Sequence, residues 1–415
     1  MASTPHKRFA LTGATGLLGR NFLFEIIKEN LHELSSLEII VFGRSTESQS
    51  LKNRIEVILF DEGIEYLGVD SNPPSLREFV EQNMSFIDID LSQSALKISQ
   101  RDNELLQQKN IHHFFHIAAS TDFRDNPKTI EWLQLTNVEG TAKILELAST
   151  LTIDNFAYVS SAYVCGHTFG NVNPDYVNMD QTFRNPYERS KLQGELLVKE
   201  YEKKQGVPCR IFRPSTIGGR LLENNKGGIP KFDVFYAWAA FFLRWKMKTS
   251  CEYLEDLYDK KTTFDVRIAI NESAGLNIVP VDFAAKIMYQ VAARNIEGTH
   301  FHLVNNQETL HNFYLKTLLE SFNIDGFKFV DQKPADLNKL ESFYYKTVGD
   351  IFTPYIGQEA IDFNIDNLKA LYDEVNLSCP AINDENFDTL IAFAKEKNFG
   401  LPVKLQPHSE QVLES

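Results

Sequence analysis

Four cysteines, Cys165, Cys209, Cys251 and Cys379, are scattered through 415 residues, and no CxxC pair occurs among them. That spacing excludes a disulfide framework and a zinc cluster, and it suits a reducing compartment. Basic residues are short as well: 42 Lys and Arg stand against 56 Asp and Glu, a formal net charge of −14. A pI near 5.3 argues against a surface that wraps nucleic acid, whose phosphates demand a positive field.

Long apolar runs are also missing. The longest, Val234–Leu243, is ten residues, about half of the ~20 that a membrane-spanning helix needs. The opening MASTPHKRFALTGATG has no apolar signal core before a strand-like run begins at Arg8. There is no internal repeat or low-complexity tract, and 43% hydrophobic with 24% charged residues is the balance of a folded chain. The expectation is a soluble, cytoplasmic protein of one large or two medium domains, whose membrane contact is at most peripheral.

Strand and helix patterns alternate through the first half. RFALT (8–12), LEIIVFG (37–43), MSFIDI (84–89), IHHFFHIAA (111–119), FAYVSS (156–161) and CRIFRP (209–214) read as strands. Helical stretches lie between them, notably LLGRNFLFEIIKENL after the first strand, VEGTAKILELAST (138–150) and SKLQGELLVKEYEKK (190–204). This alternation predicts an α/β fold, a doubly wound parallel sheet covered on both faces. The pattern changes after Gly219 and returns at NIVPVDFAAKIMYQVAARN (277–295), where Asp282 is placed to cap a helix, and at HFHLVN (300–305). Beyond about 306 come two or three helical patterns and the polar tail QPHSEQVLES. The expected division is 1–219 plus 277–305 for a nucleotide-binding domain, and 220–276 plus 306–415 for a smaller, mostly helical substrate-binding domain.

The first strand runs into Thr12-Gly13-Ala14-Thr15-Gly16-Leu17-Leu18-Gly19 and a helix follows. Glycines there permit a tight turn and a close backbone approach to a pyrophosphate on the helix N-terminus. The second strand ends Phe42-Gly43-Arg44-Ser45 with no acid. A carboxylate at that position would hold the ribose 2′-hydroxyl of NAD, whereas Arg44 can pair a 2′-phosphate and Ser45 can add a hydrogen bond. NADPH is therefore the expected cofactor. The alternatives are that Arg44 is a solvated loop residue and that Glu47 reaches back.

Tyr187-Glu188-Arg189-Ser190-Lys191 sets a phenol and an ammonium four apart on one helix face, with Ser160-Ser161 upstream at the end of the fifth strand. A cation one turn away lowers a phenol's pKa toward the useful range, and the same lysine can hold ribose hydroxyls. TGATGLLG, FHIAAS (115–120), NVEGT (137–141), YVSSAYVCG (158–166), PYERSK (186–191) and FRPSTIGG (212–219) occur in this order. Over residues 7–305 the chain thereby resembles the extended short-chain dehydrogenase/reductase superfamily. The resemblance implies a Rossmann domain in which Ser161, Tyr187 and Lys191 are the catalytic triad and Asn137 supports the helix that positions the lysine. It implies cofactor contacts from Thr12, Gly13, Thr15, Gly16, Leu17, Leu18 and Gly19, from Arg44 and Ser45, and from the adenine-contacting pair Asp90-Leu91. Ala118, Ala119 and Ser120 would line the cofactor cleft, with Asn137 and Lys191 beside them, and Pro214 and Ser215 would lie near the carboxamide.

Within the superfamily FHIAASTDFRDNP, VSSAYVCG and NIVPVDFAAK resemble the fatty acyl-CoA reductases and thioester reductase domains. That likeness implies NADPH-dependent reduction of an acyl thioester, presented by CoA or by a carrier protein, to an aldehyde and in some members to an alcohol. The alternatives on the same scaffold are a sugar-nucleotide epimerase and a sterol or alcohol dehydrogenase. From another class, a cofactor-bound sensor without turnover has no need of an intact Ser/Tyr/Lys set.

Other features have plainer readings. His112, His113 and His116 lie on a strand where 112 and 113 face opposite sides, so packing is expected and no metal. Cys165 reads as a small core residue. The aromatic stretch from Phe232 to Trp245 is open to three readings: core of the second domain, wall of an acyl tunnel, or a membrane or dimer contact. The basic group Arg244/Lys246/Lys248 reads as a solvated face or as a receptor for an acidic carrier protein or the phosphates of CoA.

Overall fold

The computed structural model describes residues 7–69, 74–93 and 95–405. The opening MASTPH and the tail QPHSEQVLES lie outside the described residues. Two compact units emerge. The first comprises the described residues up to Asn225 together with Val279–Asn306 and Asp362–Pro380. The second comprises Lys226–Ile278, Gln307–Ile361 and the described residues from Ala381 on.

The first unit is built on seven strands: β1 Lys7–Thr12, β2 Leu37–Gly43, β3 Met84–Asp88, β4 His113–His116, β5 Phe156–Val159, β6 Cys209–Pro214 and β7 His300–Leu303. Their spatial order is β7-β6-β5-β4-β1-β2-β3 and every neighbouring pair is parallel. Residues of alternate parity along each strand feed two separate cores. Phe9, Leu11, Ile39, Val41, Phe115 and Phe212 face one, whereas Ala10, Ile40, Phe42, Phe114, Phe156 and Ile211 face the other. A strand buried on both faces is apolar at most positions, and its few polar residues, such as His116 and Arg213, are paired inside, so these segments read as near-continuous runs.

Helices cover both faces. On one side lie α1 (Leu17–Glu29), with Phe22, Ile26 and Ile27, and α5 (Val281–Ala293), with Phe283, Ile287 and Val291. On the other lie α2 (Gly140–Ala148), with Ile144 and Leu145, and α3 (Pro186–Gln205), with Val198 and Tyr201. The remaining labelled helix, α4 (Phe235–Thr249), belongs to the second unit. The strand order reverses between β1 and β4, so the loops that follow these two strands open a crevice at the carboxyl end of the sheet, where ligands bind in such folds.

Several details differ from the sequence reading. Asn277 and Ile278, expected in the first domain, group with the second unit, and Asn306, expected in the second, with the first. Residues 220–225 and 362–380, expected in the second domain, also group with the first unit. Asp282 explains the former. It does not cap α5, which begins at Val281 after Pro280; its carboxylate accepts the backbone N–H groups of Leu221, Leu222 and Glu223 and so ties that loop to the helix. Leu368, Leu371 and Tyr372 explain the latter, because they join the core that α1 and α5 form, with Tyr372 edge-on to Phe283 at 5.6 Å.

In the second unit α4 packs through Trp238, which donates from Nε1 to the Tyr344 hydroxyl at 3.0 Å, and through Phe242, 5.6 Å from the same ring. Phe235 lies 5.8 Å from Phe387. Most of the stretch from Phe232 to Trp245 is thus core of this unit; Phe241 and Trp245 are half-buried against Phe343. The basic group is not one surface. Lys246 is buried and donates to the carbonyls of Lys260 and Phe322 at 2.5 and 2.6 Å, where it is unable to receive a partner's phosphate. Thr262–Ala269 and Ile324–Val330 form a parallel ribbon that the sequence reading leaves out. Among the described residues no helix is long and apolar enough to cross a membrane.

Candidate active site

The glycine loop after β1 is shaped by two contacts that no side chain allows. Gly13 has φ +78°, and a Cβ on it would stand 2.6 Å from the backbone nitrogen of Ala118. A Cβ on Gly19 would stand 2.1 Å from the Gly13 carbonyl oxygen. The loop after β4 and the first turn of α1 therefore both press on Gly13, and only glycine fits. Gly16 occupies the N-cap position without a side-chain cap, and the first turn of α1 has no acid. The N–H groups there are left for an anion, as the phosphates of a dinucleotide require.

Thr12 is buried beneath this loop. Its hydroxyl accepts the N–H groups of Ile117 and Ala118 at 3.0 and 3.1 Å and lies 2.8 Å from His116 Nδ1. His116 Nε2 lies 3.1 Å from Thr141 Oγ1, which gives its own proton to the Asn137 carbonyl at 2.6 Å. Thr141 must then accept from Nε2–H, and Nδ1 must accept from Thr12. This chain fixes one neutral tautomer. Burial, with the Lys191 charge, pulls the His116 pKa down to about 3. His112 Nδ1 accepts the Arg8 N–H at 3.0 Å, and His113 stacks on Phe9 at 5.2 Å.

At the outer end of the crevice Arg44 is exposed, and its carbonyl accepts from Arg54 Nη1 at 2.6 Å. Ser45 donates its N–H to Asp88 at 3.0 Å and accepts from Leu51 N–H through Oγ. Asp90 accepts from the N–H and hydroxyl of Ser92 at 2.9 and 2.7 Å. Although partial desolvation works the other way, those bonds and the Arg44 charge hold its carboxyl below the ordinary value. The Leu91 carbonyl accepts from Lys143 at 3.1 Å, and its side chain lies against Gly140. Pro214 closes β6, and the Ser215 N–H donates to the Leu303 carbonyl at 3.1 Å.

Ser161 and Tyr187 meet although twenty-six positions separate them. Ser161 follows β5 and starts a short 3-10 turn, Ala162–Cys165, by accepting Tyr163 N–H at 3.2 Å. Tyr187 stands in the first turn of α3, whose start is fixed by Asn185 at the N-cap and Pro186 at the first helical position. Glu188 pairs Arg184 at 3.2 Å with both side chains fully buried, which locks the same turn. Ser161 lies close enough to the Tyr187 phenol to oppose the rise of its pKa. Burial pushes the Tyr187 phenol well above its ordinary pKa, against the smaller opposing effect of Ser161.

Lys191, one turn on, is buried, and desolvation pulls its pKa down to about 7 in spite of Glu195. Its ammonium lies 4.2 Å from the centroid of the Tyr158 ring. The lysine thus rests on Tyr158, whereas the sequence reading directs its charge at Tyr187. Asn137 lies in a π turn, Gln134–Glu139, just before α2. Its side chain donates to the Ser120 carbonyl and to Ser190 Oγ, both at 3.0 Å, and accepts from Ser120 N–H at 2.8 Å. Ser190 in turn donates to the Tyr187 carbonyl at 2.8 Å. One amide therefore joins the loop after β4, which carries Ala118, Ala119 and Ser120, to the stretch of α3 between Tyr187 and Lys191.

Five residues around this set were not singled out from the sequence: His116 in its bridging role, Phe123, Tyr158, Glu195 and Arg213. Phe123 lies 5.0 Å from the Tyr187 ring. Glu195 and Arg213 form a fully buried two-point pair at 2.6 and 2.9 Å. Glu195 is readable only as the position one turn past Lys191, and Arg213 only as the charge inside an apolar strand. Cys165 is buried, its thiol pushed up to about 11 by desolvation, and does not act as a nucleophile.

The parallel order, the glycine loop at the switch point and the Ser161–Tyr187 pair beside Lys191 define a nucleotide-binding α/β protein of the extended short-chain dehydrogenase/reductase class. The family model described as Male sterility protein, an NAD-binding family, matches residues 11–288. The chain belongs to that family. It is 28% identical over 302 residues to fatty acyl-CoA reductase 1 of Rattus norvegicus, covering 65% of this chain and 55% of the relative. The chain thus spans about half the length of the curated relatives it matches. Among solved structures it is similar to the terminal R domain of the myxalamid PKS-NRPS pathway, with TM-score 0.71, 22% identity and coverage of 98% and 94%. It is also similar to a thiolation-reductase di-domain from an archaeal non-ribosomal peptide synthetase, with TM-score 0.64, 15% identity and coverage of 95% and 91%.

Proposed function

We propose that this protein is an NADPH-dependent reductase of acyl thioesters, yielding the aldehyde and, after a second turnover of the same chemistry, the alcohol. The observation that carries the reading is the buried set of Ser161 beside the Tyr187 phenol with Lys191 one turn on. Gly13, Gly16 and Gly19 with the uncapped first turn of α1 suit a pyrophosphate, and the exposed Arg44 suits the 2′-phosphate of NADPH. When bound, NADPH supplies the hydride. Ser161 and Tyr187 give two hydroxyl donors to the thioester carbonyl oxygen, polarising it and holding the oxyanion that forms. Burial keeps the Tyr187 proton in place at neutral pH, so the phenol is a donor throughout and not a phenolate. Lys191 holds the ribose hydroxyls, and Asn137 keeps its helix registered against the loop after β4. Collapse of the tetrahedral adduct expels the thiol and leaves the aldehyde.

The likeness to reductase domains joined to thiolation domains supports a carrier protein as one presenter of the acyl group, with CoA as the other. The test follows NADPH absorbance with acyl-CoA thioesters of increasing length and with the same acyl groups on a carrier. Oxidation that peaks at one chain length and disappears in Tyr187→Phe is the expected result. A protein that binds NADPH yet oxidises it with no thioester overturns the reading.

A further inference from the structure

Resting on the Ser/Tyr/Lys reading, the question is what holds the ammonium of Lys191 in a buried place. The charged and titratable groups around it come from several elements. Glu195 lies one turn ahead and Tyr187 one turn behind on α3, Tyr158 comes from β5, His116 from β4 and Arg213, through Glu195, from β6. Most of these are already engaged. Arg213 takes both oxygens of Glu195. His116 is locked neutral between Thr12 and Thr141. The ring of Tyr158, 4.2 Å from the lysine nitrogen, is in direct contact with the ammonium.

The helix makes room for that ring. Gly194 faces Tyr158, and a Cβ there would stand 2.2 Å from the hydroxyl oxygen and 2.8 Å from Cζ. Three residues after the lysine, α3 lacks a side chain at the point where the Tyr158 ring passes. His116 also packs on Tyr158, the two rings tilted 37° with centroids 5.7 Å apart.

We propose that Tyr158 is a positioning residue for Lys191: its aromatic face seats the ammonium by a cation–π contact, and Gly194 is the notch that lets the ring lie there. Such a contact is strongest where water is excluded, as it is here. It also opposes the desolvation that favours the neutral amine, so it keeps Lys191 charged to a higher pH than burial alone allows.

The test keeps the shape of the ring and removes its charge distribution. Tyr158→Phe is made first, and then 3,5-difluoro- and 3,4,5-trifluoro-phenylalanine are installed at position 158. Lys191 is titrated in each full-length protein by NMR of ¹³Cε-labelled lysine without cofactor, assigned with Lys191→Met. The expected result is a stepwise fall of the Lys191 pKa across the series, about half to one pH unit in total. The alkaline limb of NADPH-dependent turnover should move down with it across the fluorinated series. An unchanged lysine titration across the fluorinated series overturns the proposal, because packing alone is insensitive to ring charge. Full activity in Lys191→Met would instead remove the triad reading, and the titration would still decide what seats the lysine.

Discussion

Glu195 and Arg213 make a two-point ion pair at 2.6 and 2.9 Å with neither side chain exposed, one helical turn beyond Lys191. A buried pair of this kind adds little net stability, since desolvation offsets most of the attraction, but breaking it leaves a charge stranded. Glu195→Gln is expected to destabilise the protein by about 3–5 kcal/mol. Glu195→Leu with Arg213→Met is expected to recover most of that loss. Denaturant unfolding of the single and double variants measures both, and a double variant no better than the single would contradict the assignment.

Asn137 predicts a different pattern. Its amide bonds Ser120 twice and Ser190 once, so Asn137→Ala unties the loop after β4 from α3. Each lost bond costs about 1 kcal/mol, so folding survives. Turnover, which depends on the register of Tyr187 and Lys191, should fall at least about tenfold. Comparing kcat with the thermal midpoint separates the two effects; equal, small changes in both would show that the amide is only structural.

The pH dependence follows from Lys191. Its pKa in the folded protein, about 7, lies below the ordinary lysine value, so the unfolded chain binds the extra proton between these limits. Burying its ammonium therefore costs stability in full below about pH 7, and that cost is relieved as pH climbs toward about 10.5. On the proposed reading, in which Lys191 holds the ribose hydroxyls, cofactor affinity runs the other way, because an ammonium binds hydroxyls better than an amine. Isothermal titration with NADPH across pH 6–9 should show affinity falling above about pH 7 in the parent, and a flat profile in Lys191→Met.

On the proposed reading, Arg44 carries the cofactor choice. It is exposed at the end of β2, with Asp88 engaged by Ser45 N–H and Asp90 by Ser92. Arg44→Ala should raise the KM for NADPH by about tenfold or more while the KM for NADH changes little, a charge-assisted bond being worth about 1.5–3 kcal/mol. Equal changes for both cofactors would contradict recognition of a 2′-phosphate.

The strands of the sheet were legible because burial on both faces favours near-continuous apolar runs, as in Ala10-Leu11 or Ile39-Ile40-Val41, even where a paired His116 or Arg213 interrupts them. The glycine loop was legible because Gly13 and Gly19 answer to backbone contacts that local spacing already encodes. The ribbon of Thr262–Ala269 was not, since its partner Ile324–Val330 lies far along the chain and interleaves Asp325 and Lys328 among its apolar residues. Lys246 misled for a related reason: a basic residue among apolar ones looks like a surface charge, yet it is buried beneath two carbonyls. Asp282 had the signature of a helix cap, yet most of its bonds go to a distant loop, with one to the Phe283 N–H of α5. Tyr158 and Glu195 became visible only when β5 and α3 were set side by side.

The central claim is hydride delivery to a thioester carbonyl held by Ser161 and Tyr187. It is tested most directly with NADPH deuterated at the transferable position, an acyl-CoA or carrier-bound thioester, and mass spectrometry of the product. The account predicts an aldehyde one mass unit heavier at its carbonyl carbon, or the primary alcohol two mass units heavier after a second hydride, formed by the parent and absent with Tyr187→Phe. An unlabelled aldehyde, or label entering a sugar nucleotide or a secondary alcohol while every thioester is returned intact, would contradict it.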